Sequence, residues 1–144
     1  MDTIRTCISF LASGAAKSIA RLARERLSPF GVTPIQFAVL QAVSEAEGGT
    51  ASDIGTTLSI DSATIVGVID RLEGCGLVRR ERSGRDRRIH RLVLTDDGSR
   101  RLPEMRAAMD GLNEEIDAAL GGEARTARAS LTRLSALTRT MKGP

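Results

Sequence analysis

Aromatic side chains are scarce in this chain: its 144 residues include three phenylalanines, no tyrosine and no tryptophan. Proteins that recognise single-stranded RNA stack the bases on aromatic rings, and this sequence has almost no such rings to offer. Potential metal ligands are scarce too, since the only histidine is His90 and the two cysteines, Cys7 and Cys75, lie far apart. We therefore expect neither RNA recognition by base stacking nor an ordinary structural zinc site, and no cofactor.

Long hydrophobic runs are absent as well. No run approaches the ~18 apolar residues that a membrane-spanning helix requires, and the sequence lacks the pattern of a secretory signal peptide. Two cysteines without such a signal are typical of a reducing cell interior rather than of a disulfide framework. The expectation is a cytoplasmic protein that has no membrane partner.

The residues of common catalytic sites do not occur in a usable arrangement. His90 lies within an arginine-rich segment, no serine or cysteine has a general base placed by sequence, and no glycine-rich phosphate-binding loop is present. An enzymatic function is therefore not expected.

What the sequence does contain is a concentrated positive charge. Residues 79–91 hold seven arginines and two acidic residues, a net charge of +5, whereas the rest of the chain carries 14 basic and 16 acidic residues, a net charge of −2. The flanking apolar residues Val78, Leu92 and Leu94 predict a β-hairpin with an apolar base, a turn at Ser83–Gly84 and arginines at the tip. Because guanidinium groups suit phosphates and narrow minor grooves, this hairpin points to DNA. The alternative is a solvated arginine loop that serves solubility.

The segment before the hairpin predicts two short helices joined by a tight turn. Thr50 and Asp53 fit a capping box at the start of the first helix, and Asp61 is a good N-cap for the second. The second helix carries an apolar stripe at helical spacing, formed by Ile65, Val68, Ile69 and Leu72. Two short helices followed by a basic hairpin are the order of a winged helix-turn-helix, so we predict a mainly α fold with a small β-hairpin wing (α+β).

Further amphipathic helices are predicted on both sides of this region. An apolar periodicity runs through residues 3–27, and another helix starts at Thr33–Pro34. After the hairpin, Thr95 caps a long helix in which Pro103 marks either a kink or the true start. Gly121–Gly122 separates it from a last helix, whose apolar residues are Leu131, Leu134, Leu137 and Met141. The terminal helices bear more apolar surface than one small domain needs, which favours a homodimer over a purely intramolecular core.

The second short helix of a winged helix-turn-helix lies in the major groove of DNA, with its apolar stripe turned inward. Its outward residues here are Ser62, Ala63, Val66, Gly67 and Asp70, with Thr64 and Arg71 on the flanks. Hydroxyl groups serve any base edge and Val66 suits a thymine methyl group, but the helix has no Gln, Asn or Lys. We therefore expect specificity to depend largely on the wing and on DNA shape. In the alternative interpretation, Ser62 and Thr64 only cap the first turn.

Five motifs occur in order along the chain. They are Leu27-Ser28-Pro29, Thr33-Pro34-Ile35-Gln36-Phe37, the segment from Ile60-Asp61 through Ile69-Asp70-Arg71-Leu72-Glu73 to Gly76-Leu77-Val78, Asp86-Arg87-Arg88, and Leu94-Thr95-Asp96-Asp97-Gly98. Together they resemble the multiple-antibiotic-resistance regulator (MarR) family over nearly the whole chain. The resemblance implies a single domain, 1–144, with a DNA-binding lobe at 33–95 and a helical dimerisation region at 1–30 and 96–144. It also implies a sequence-specific, homodimeric transcriptional regulator, usually a repressor, that binds double-stranded DNA at a pseudo-palindromic operator.

The same resemblance implies roles for individual wing residues. Arg88 corresponds to the wing-tip residue that enters the minor groove, and Arg85 and Arg87 lie beside it in the predicted DNA-binding wing. Asp61 corresponds to a position that pairs with this arginine in some members. Because several arginines crowd the tip, an acidic partner is expected to set their direction.

Four further residues concern the helix that would enter the major groove or its link to the wing. Asp86 and Arg71 resemble a second pair, which ties the wing to this helix; alternatively, Asp86 is only a favourable turn residue. Val66 and Gly67 stand where family members often carry Thr and a polar or basic side chain, so an operator sequence does not transfer. Glycine inside a helix costs ~1 kcal/mol relative to alanine, so we expect close DNA approach or tight packing at Gly67.

Regulation by a ligand or by oxidation is a further implication of the resemblance. Family members commonly bind small phenolic or aromatic anions, and Arg71 and Arg80 match positions near such an effector site; contact with DNA phosphate or an internal ion pair is the preferred alternative. One branch senses peroxide through an N-terminal cysteine, which Cys7 resembles in position, but the activating tyrosines are absent. Because Cys7 falls on the apolar stripe of the first helix, a buried structural cysteine is favoured. A winged-helix module that contacts only proteins, without specific DNA readout, is the remaining alternative.

Overall fold

A computed structural model describes residues 4–141, apart from the side chains of residues 138 and 139. Residues 1–3 and 142–144, which the predicted dimerisation region includes, lie outside the described part. The chain forms two compact units, the first ending at Met109 and the second beginning at Asp110.

Helices and one hairpin make up the regular structure. In chain order the elements are α1 (Ile8–Leu27), α2 (Pro34–Glu45), α3 (Ala51–Leu58), α4 (Ser62–Gly74), β1 (Val78–Arg82), β2 (His90–Leu94), α5 (Asp96–Leu120) and α6 (Ala124–Thr140). Short 3-10 turns lie at Ile4–Thr6, Ser28–Phe30 and Gly121–Glu123. The two strands pair antiparallel. The predicted mainly α fold with a β-hairpin wing is thereby confirmed.

Four helix starts that the sequence predicts are those of the structure, whereas α1 begins at Ile8, within the periodic stretch predicted for residues 3–27. A side-chain oxygen accepts a backbone N–H of the first helical turn at each of the predicted caps Thr33, Thr50, Asp61 and Thr95. At Thr50 the capping box is complete, because the Asp53 carboxylate accepts the Thr50 backbone N–H at 2.9 Å. Each cap satisfies a backbone donor that the helix itself leaves without a partner.

The core of the first unit joins both DNA-binding elements that the sequence predicts. Its largest fully buried side chains are Leu27, Val39, Leu40, Ile54, Ile65, Ile69, Leu72, Leu77, Val78, Leu92 and Met105. Burial of each such aliphatic side chain stabilises the fold by roughly 1.5–3 kcal/mol. The inner stripe of α4 and the apolar base of the hairpin belong to this one core, so their outward faces are presented from a common support.

The first part of α5 also belongs to this unit. The helix begins at Asp96 and continues through Pro103, so Pro103 does not mark its start. Arg106 donates from Nε to Gln41 Oε1 at 2.5 Å and from Nη2 to Ser44 Oγ at 3.2 Å. These bonds attach α5 to α2 within the first unit.

The second unit contains the end of α5 and α6. The predicted break at Gly121–Gly122 is confirmed: a 3-10 turn spans Gly121–Glu123, and Gly121 has a φ of 55°, which favours glycine. Asp117 and Arg128 form an ion pair across the two helices of this unit. The apolar residues of α6 lie on an exposed surface, namely Leu131, Leu134 and Leu137.

Candidate nucleic-acid interface

One face of α4 is available to a partner. Its stripe of Ile65, Val68, Ile69 and Leu72 is buried, as predicted. The predicted outward residues are exposed, with Gly67 partly so: Ser62, Ala63, Thr64, Val66, Gly67, Asp70 and Arg71. Val66 keeps 44% of its surface exposed, which is a large fraction for an aliphatic side chain on a helix that packs against a core.

The N-terminal end of α4 is organised by Asp61. Its carboxylate accepts the Thr64 backbone N–H at 2.8 Å and the Thr64 hydroxyl at 2.6 Å. The Thr64 hydroxyl, followed by its backbone N–H, lowers the pKa of Asp61 below its ordinary value. Because the Thr64 hydroxyl donates its proton to Asp61, its oxygen is left to accept a hydrogen bond from a partner. Within residues 4–141 no ion pair joins Asp61 to Arg88, because the Asp61 carboxylate caps the helix instead.

The hairpin carries the arginine-rich segment away from its buried base. Its register runs from Val78 opposite Leu94 to Arg82 opposite His90. At the base, Val78 and Leu92 are 1% and 2% exposed, so the predicted apolar anchoring is confirmed.

The turn at the hairpin tip differs from the predicted one. The backbone N–H of Ile89 bonds to the Asp86 carbonyl at 3.1 Å, so the hydrogen-bonded turn spans Asp86–Ile89 rather than Ser83–Gly84. The Asp86 carboxylate accepts the Arg88 backbone N–H at 2.9 Å, which favours this turn over the predicted one. Ser83 is instead a buried residue whose hydroxyl accepts the Arg85 backbone N–H at 3.4 Å.

Three exposed arginines surround this turn: Arg85, Arg87 and Arg88. Each lies within the tip that the sequence predicts as the DNA-binding wing. With no apolar neighbour burying them, their guanidinium groups are free to approach a phosphate backbone or a groove. Asp86 acts on their placement through the backbone of Arg88, as a turn residue.

The link between hairpin and α4 is made by Arg80. Its Nη2 donates to Asp70 Oδ1 at 2.7 Å and its Nη1 donates to Glu73 Oε2. The hydrogen bond to Asp70, together with the charge of Glu73, raises the pKa of Arg80. The predicted pair of Asp86 with Arg71 is not formed among the described residues, because Asp86 is held in the tip turn.

The ion pair of Arg80 bears on the predicted effector residues. Arg80 forms the internal ion pair that was the alternative to an effector contact, whereas Arg71 is exposed on α4. The sequence analysis named an internal ion pair but not its partners, although the sequence carried a signal for them. Asp70 and Glu73 are three residues apart and therefore share one helix face, beside the strand that bears Arg80.

Gly67 has no packing reason to be glycine. A Cβ built at this position meets no heavy atom within 4 Å, apart from the helix's own nearby backbone. The tight-packing explanation for this glycine is therefore wrong. Close approach of DNA stays a prediction.

Cys7 does not lie in a buried apolar environment. It is the N-cap residue of α1, is partly exposed, and its Sγ lies 3.2 Å from Ser9 Oγ. The Ser9 hydroxyl and the backbone N–H groups of Phe10 and Ser9 lower the pKa of the Cys7 thiol. In the single chain Cys7 is therefore not a buried structural cysteine: it is partly exposed, like the first turns of α1 that follow it, where Ile8 and Leu11 are exposed. Cys75 is exposed.

Neither a metal-binding cluster nor a membrane-spanning helix occurs among the described residues. No group of three or more His, Cys, Asp or Glu side chains is placed to hold a metal ion in that part of the chain. Among the helices of residues 4–141, none is both long and apolar enough to cross a membrane.

Comparisons with known proteins agree with this geometry. A family model described as the MarR family matches residues 30–89. The HTH-type transcriptional regulator YwoH of Bacillus subtilis (strain 168) is 32% identical over 120 residues, which are 83% of this chain and 87% of that protein. The transcriptional repressor CouR bound to a 23-mer DNA duplex is 30% identical and has a TM-score of 0.86, covering 94% of this chain and 96% of that chain. CouR from Rhodococcus jostii RHA1 bound to p-coumaroyl-CoA is 25% identical and has a TM-score of 0.79, covering 100% of this chain and 99% of that chain.

Proposed function

This chain belongs to the MarR family of DNA-binding transcriptional regulators, and we propose that it is a homodimeric repressor that a small-molecule effector releases from a pseudo-palindromic operator. Members of this family are transcriptional regulators rather than enzymes. One observation carries the proposal. The buried residues of α4 and of the hairpin base pack in the same core, and the opposite face of α4 and the arginine tip of the hairpin are exposed.

In this proposal α4 enters the major groove. Thr64 accepts a hydrogen bond from a base edge, because its proton is already donated to Asp61, and Val66 contacts a thymine methyl group. Ser62, Ala63 and Gly67 let the helix come close, and Arg71 contacts a phosphate at its flank.

The wing supplies the second contact. Arg88 enters the adjacent minor groove, and Arg85 and Arg87 neutralise the phosphates on either side of it. Because arginine favours a narrow, electronegative minor groove, sequence preference at this point follows DNA shape more than base edges. The face of α4 offers few side chains that can hydrogen-bond to base edges, which supports a large contribution of the wing to sequence preference.

A homodimer accounts for apolar side chains that the single chain leaves exposed. On and before α1 these are Ile4, Ile8, Phe10, Leu11 and Ile19, and on α6 and its end they are Leu131, Leu134, Leu137 and Met141. Soluble single chains seldom expose so many large apolar side chains on two helices. Two copies related by a two-fold axis would read two half-sites about one helical turn apart, which makes the operator pseudo-palindromic.

The effector in this proposal is a small phenolic or aromatic anion. The Rhodococcus CouR to which the chain is similar is bound to p-coumaroyl-CoA, which supports regulation by a small molecule in this family. Arg71 is exposed and able to pair with a carboxylate, whereas Arg80 is engaged by two acidic residues. We therefore assign the effector contact to Arg71 ahead of Arg80, with the effector competing for the guanidinium group that otherwise contacts a DNA phosphate.

Selection of bound sequences from a random DNA library, followed by affinity measurements over a range of salt, tests the DNA-binding proposal. We expect a pseudo-palindrome that is bound at least ~1,000-fold more tightly than random DNA, with affinity that falls steeply as salt rises. Arg88→Ala should weaken binding by about 10–100-fold, whereas Arg125→Ala, an exposed arginine on α6, should not. Equal affinity for selected and random DNA at every salt concentration contradicts specific readout and favours the protein-interaction alternative.

Thiol-based regulation through Cys7 is a second candidate, because this thiol is partly exposed and its pKa is lowered. Oxidation of Cys7 by a peroxide would then release the operator. The test compares operator affinity before and after peroxide treatment in the wild type, in Cys7→Ser and in Cys75→Ser. Release that is lost only in Cys7→Ser supports this route, and unchanged affinity in all three excludes it.

A further inference from the structure

The two DNA-binding elements are joined by a very short connection. Only residues 75–77 separate the end of α4 from the start of β1. The backbone N–H of Gly76 bonds to the Glu73 carbonyl and that of Leu77 bonds to the Leu72 carbonyl, both at 3.0 Å. These bonds hold the beginning of β1, but they lie far along the strand from the tip turn at Asp86–Ile89.

Arg80 is the side chain that connects the hairpin to α4 beyond this point. It lies in β1 opposite Leu92 of β2, two residues past the buried Val78. Both terminal nitrogens of its guanidinium group are occupied, one by Asp70 at 2.7 Å and the other by Glu73. The side chain is only 28% exposed, whereas that of Arg79 in the same strand is 53% exposed. A planar group bonded at both ends has little freedom to swing, unlike a single exposed ion pair.

We propose that Arg80 is a positioning residue for DNA binding: its fork to Asp70 and Glu73 sets the angle between hairpin and α4, so that wing tip and helix engage neighbouring grooves at the same time. This inference rests on the proposed DNA-binding function and adds a residue to it. Arg80 need not touch DNA. Its effect passes through the placement of Arg88 and the other tip arginines.

The competing explanation is that Arg80 contacts a DNA phosphate directly. The two explanations predict opposite signs for one substitution. Asp70 is exposed, on the side of α4 that the proposed function turns toward DNA, so its negative charge would repel phosphates. If Arg80 binds phosphate, Asp70→Asn removes that repulsion, frees Arg80 and tightens DNA binding. If Arg80 positions the hairpin, Asp70→Asn weakens half of the fork, because a neutral amide oxygen accepts a weaker hydrogen bond than a carboxylate. DNA binding then weakens in spite of the favourable change in charge.

The experiment measures operator affinity of the full-length protein for Asp70→Asn and for the control Glu81→Gln. Glu81 lies next to Arg80 in β1, and its carboxylate bonds to Arg79 rather than to α4, so the control makes the same charge change outside the fork. We expect about tenfold weaker binding for Asp70→Asn and binding no weaker than wild type for Glu81→Gln. Unchanged or tighter binding by Asp70→Asn overturns the proposal.

A double-mutant cycle measures the coupling between Arg80 and the wing tip in operator binding, which a general loss of structure would not produce selectively. The losses of operator-binding free energy caused by Arg80→Met and Arg88→Ala should be strongly less than additive in the double variant, because Arg88 contributes little to binding when the wing is misplaced. Arg80→Met and Ser62→Ala should be additive. Arg80→Lys keeps the charge but makes a single bond, and should recover part of the affinity lost in Arg80→Met. Additive effects for Arg80 and Arg88 contradict the proposal.

Folding and function are separated by two further measurements. Thermal unfolding of each variant, followed by circular dichroism, should show a folded protein, because Leu77, Val78 and Leu92 still anchor the hairpin. The wild type must bind the selected operator specifically; if it does not, the proposed function fails. If it does, and Arg88→Ala weakens binding while Asp70→Asn does not, only the role of Arg80 fails.

Discussion

The Thr95 hydroxyl donates to the Gly76 carbonyl at 2.6 Å and so attaches the start of α5 to the segment that joins α4 to the hairpin. The same oxygen accepts the Gly98 backbone N–H at 3.0 Å, and the Thr95 backbone N–H bonds to the Leu77 carbonyl at 3.1 Å. The Leu-Thr-x-x-Gly motif therefore attaches the start of α5 to this segment through hydrogen bonds. It places the first turn of α5 directly on the connection between the two DNA-binding elements.

Gly98→Ala should destabilise the protein by about 1–3 kcal/mol, since a Cβ at this position would overlap the Leu77 carbonyl oxygen. Urea unfolding measures the change. Gly111→Ala is the matched control: Gly111 lies in the same helix, and a Cβ there meets nothing within 4 Å. The control should be as stable as the wild type or more stable, by up to about 1 kcal/mol. A stable Gly98→Ala protein would show that α5 can move away from Leu77.

Gly67→Ala should stabilise the folded protein by up to about 1 kcal/mol, because the added methyl group enters open space and helix propensity improves. If DNA approaches the helix closely at this point, the same change weakens operator binding. Gly74→Ala, also in α4 and also with open space around its Cβ, should leave binding unchanged. Melting temperature and operator affinity are measured for both variants. Equal affinity for Gly67→Ala and wild type would remove close DNA approach as the reason for this glycine.

Stability should decrease in acid through the capping carboxylates. The folded chain lowers the pKa of Asp61 below the ordinary value of 3.8, first through the Thr64 hydroxyl, so the ionised cap stabilises the fold above that pH. This contribution is lost as the pH falls below 3.8 and through the folded pKa. Asn caps helices well but does not titrate.

Asp61→Asn should accordingly be less stable than wild type at neutral pH, and the difference should shrink toward about pH 3. Urea unfolding over this pH range gives the two curves. Asp53→Asn should behave in the same way, because the Thr50 backbone N–H lowers the pKa of Asp53. If the free energy of unfolding of variant and wild type differed by the same amount at every pH, this explanation of the caps would be contradicted.

A charge in the exposed apolar surface of α1 should separate the proposed homodimer. Leu11 is half exposed in the single chain, so Leu11→Glu would place a carboxylate in the interface and give a monomer with much weaker operator binding. Light scattering after size-exclusion chromatography reports the mass. Ile35→Glu, at an exposed apolar residue of α2, should keep the wild-type mass. A wild-type chain that is monomeric at micromolar concentration would contradict the dimer itself.

Most features that depend on neighbours in sequence were predicted correctly; the exception is the turn at the hairpin tip, which lies at Asp86–Ile89 rather than at Ser83–Gly84. The caps at Thr33, Thr50 and Asp61 each involve a residue three positions further along, and the stripe of Ile65, Val68, Ile69 and Leu72 follows from helical periodicity. Such interactions form whenever the local backbone is helical, whatever else the chain does. Their physical cause is contained in a few consecutive residues.

Features that depend on the packing of separate elements were predicted less well. Cys7 was expected on a buried apolar stripe, yet it is partly exposed, and its neighbours Ile8 and Leu11 are exposed in the single chain. The fork of Arg80 to Asp70 and Glu73 depends on where the hairpin lies against α4. Sequence offers several acidic partners for each wing arginine, and local preferences do not choose among them.

The sequence by itself determined the helices, their capped starts, the apolar base of the hairpin and the concentration of arginine at its tip, because each of these follows from periodicity, composition or bonds over three or four residues. Only the tertiary structure decided that Arg80 rather than Asp86 ties the wing to α4, and that Thr95 binds the Gly76 carbonyl 19 positions before it in the chain. Those pairings are selected by the three-dimensional packing of α4, the hairpin and α5 on one core, which brings together groups that no local rule connects.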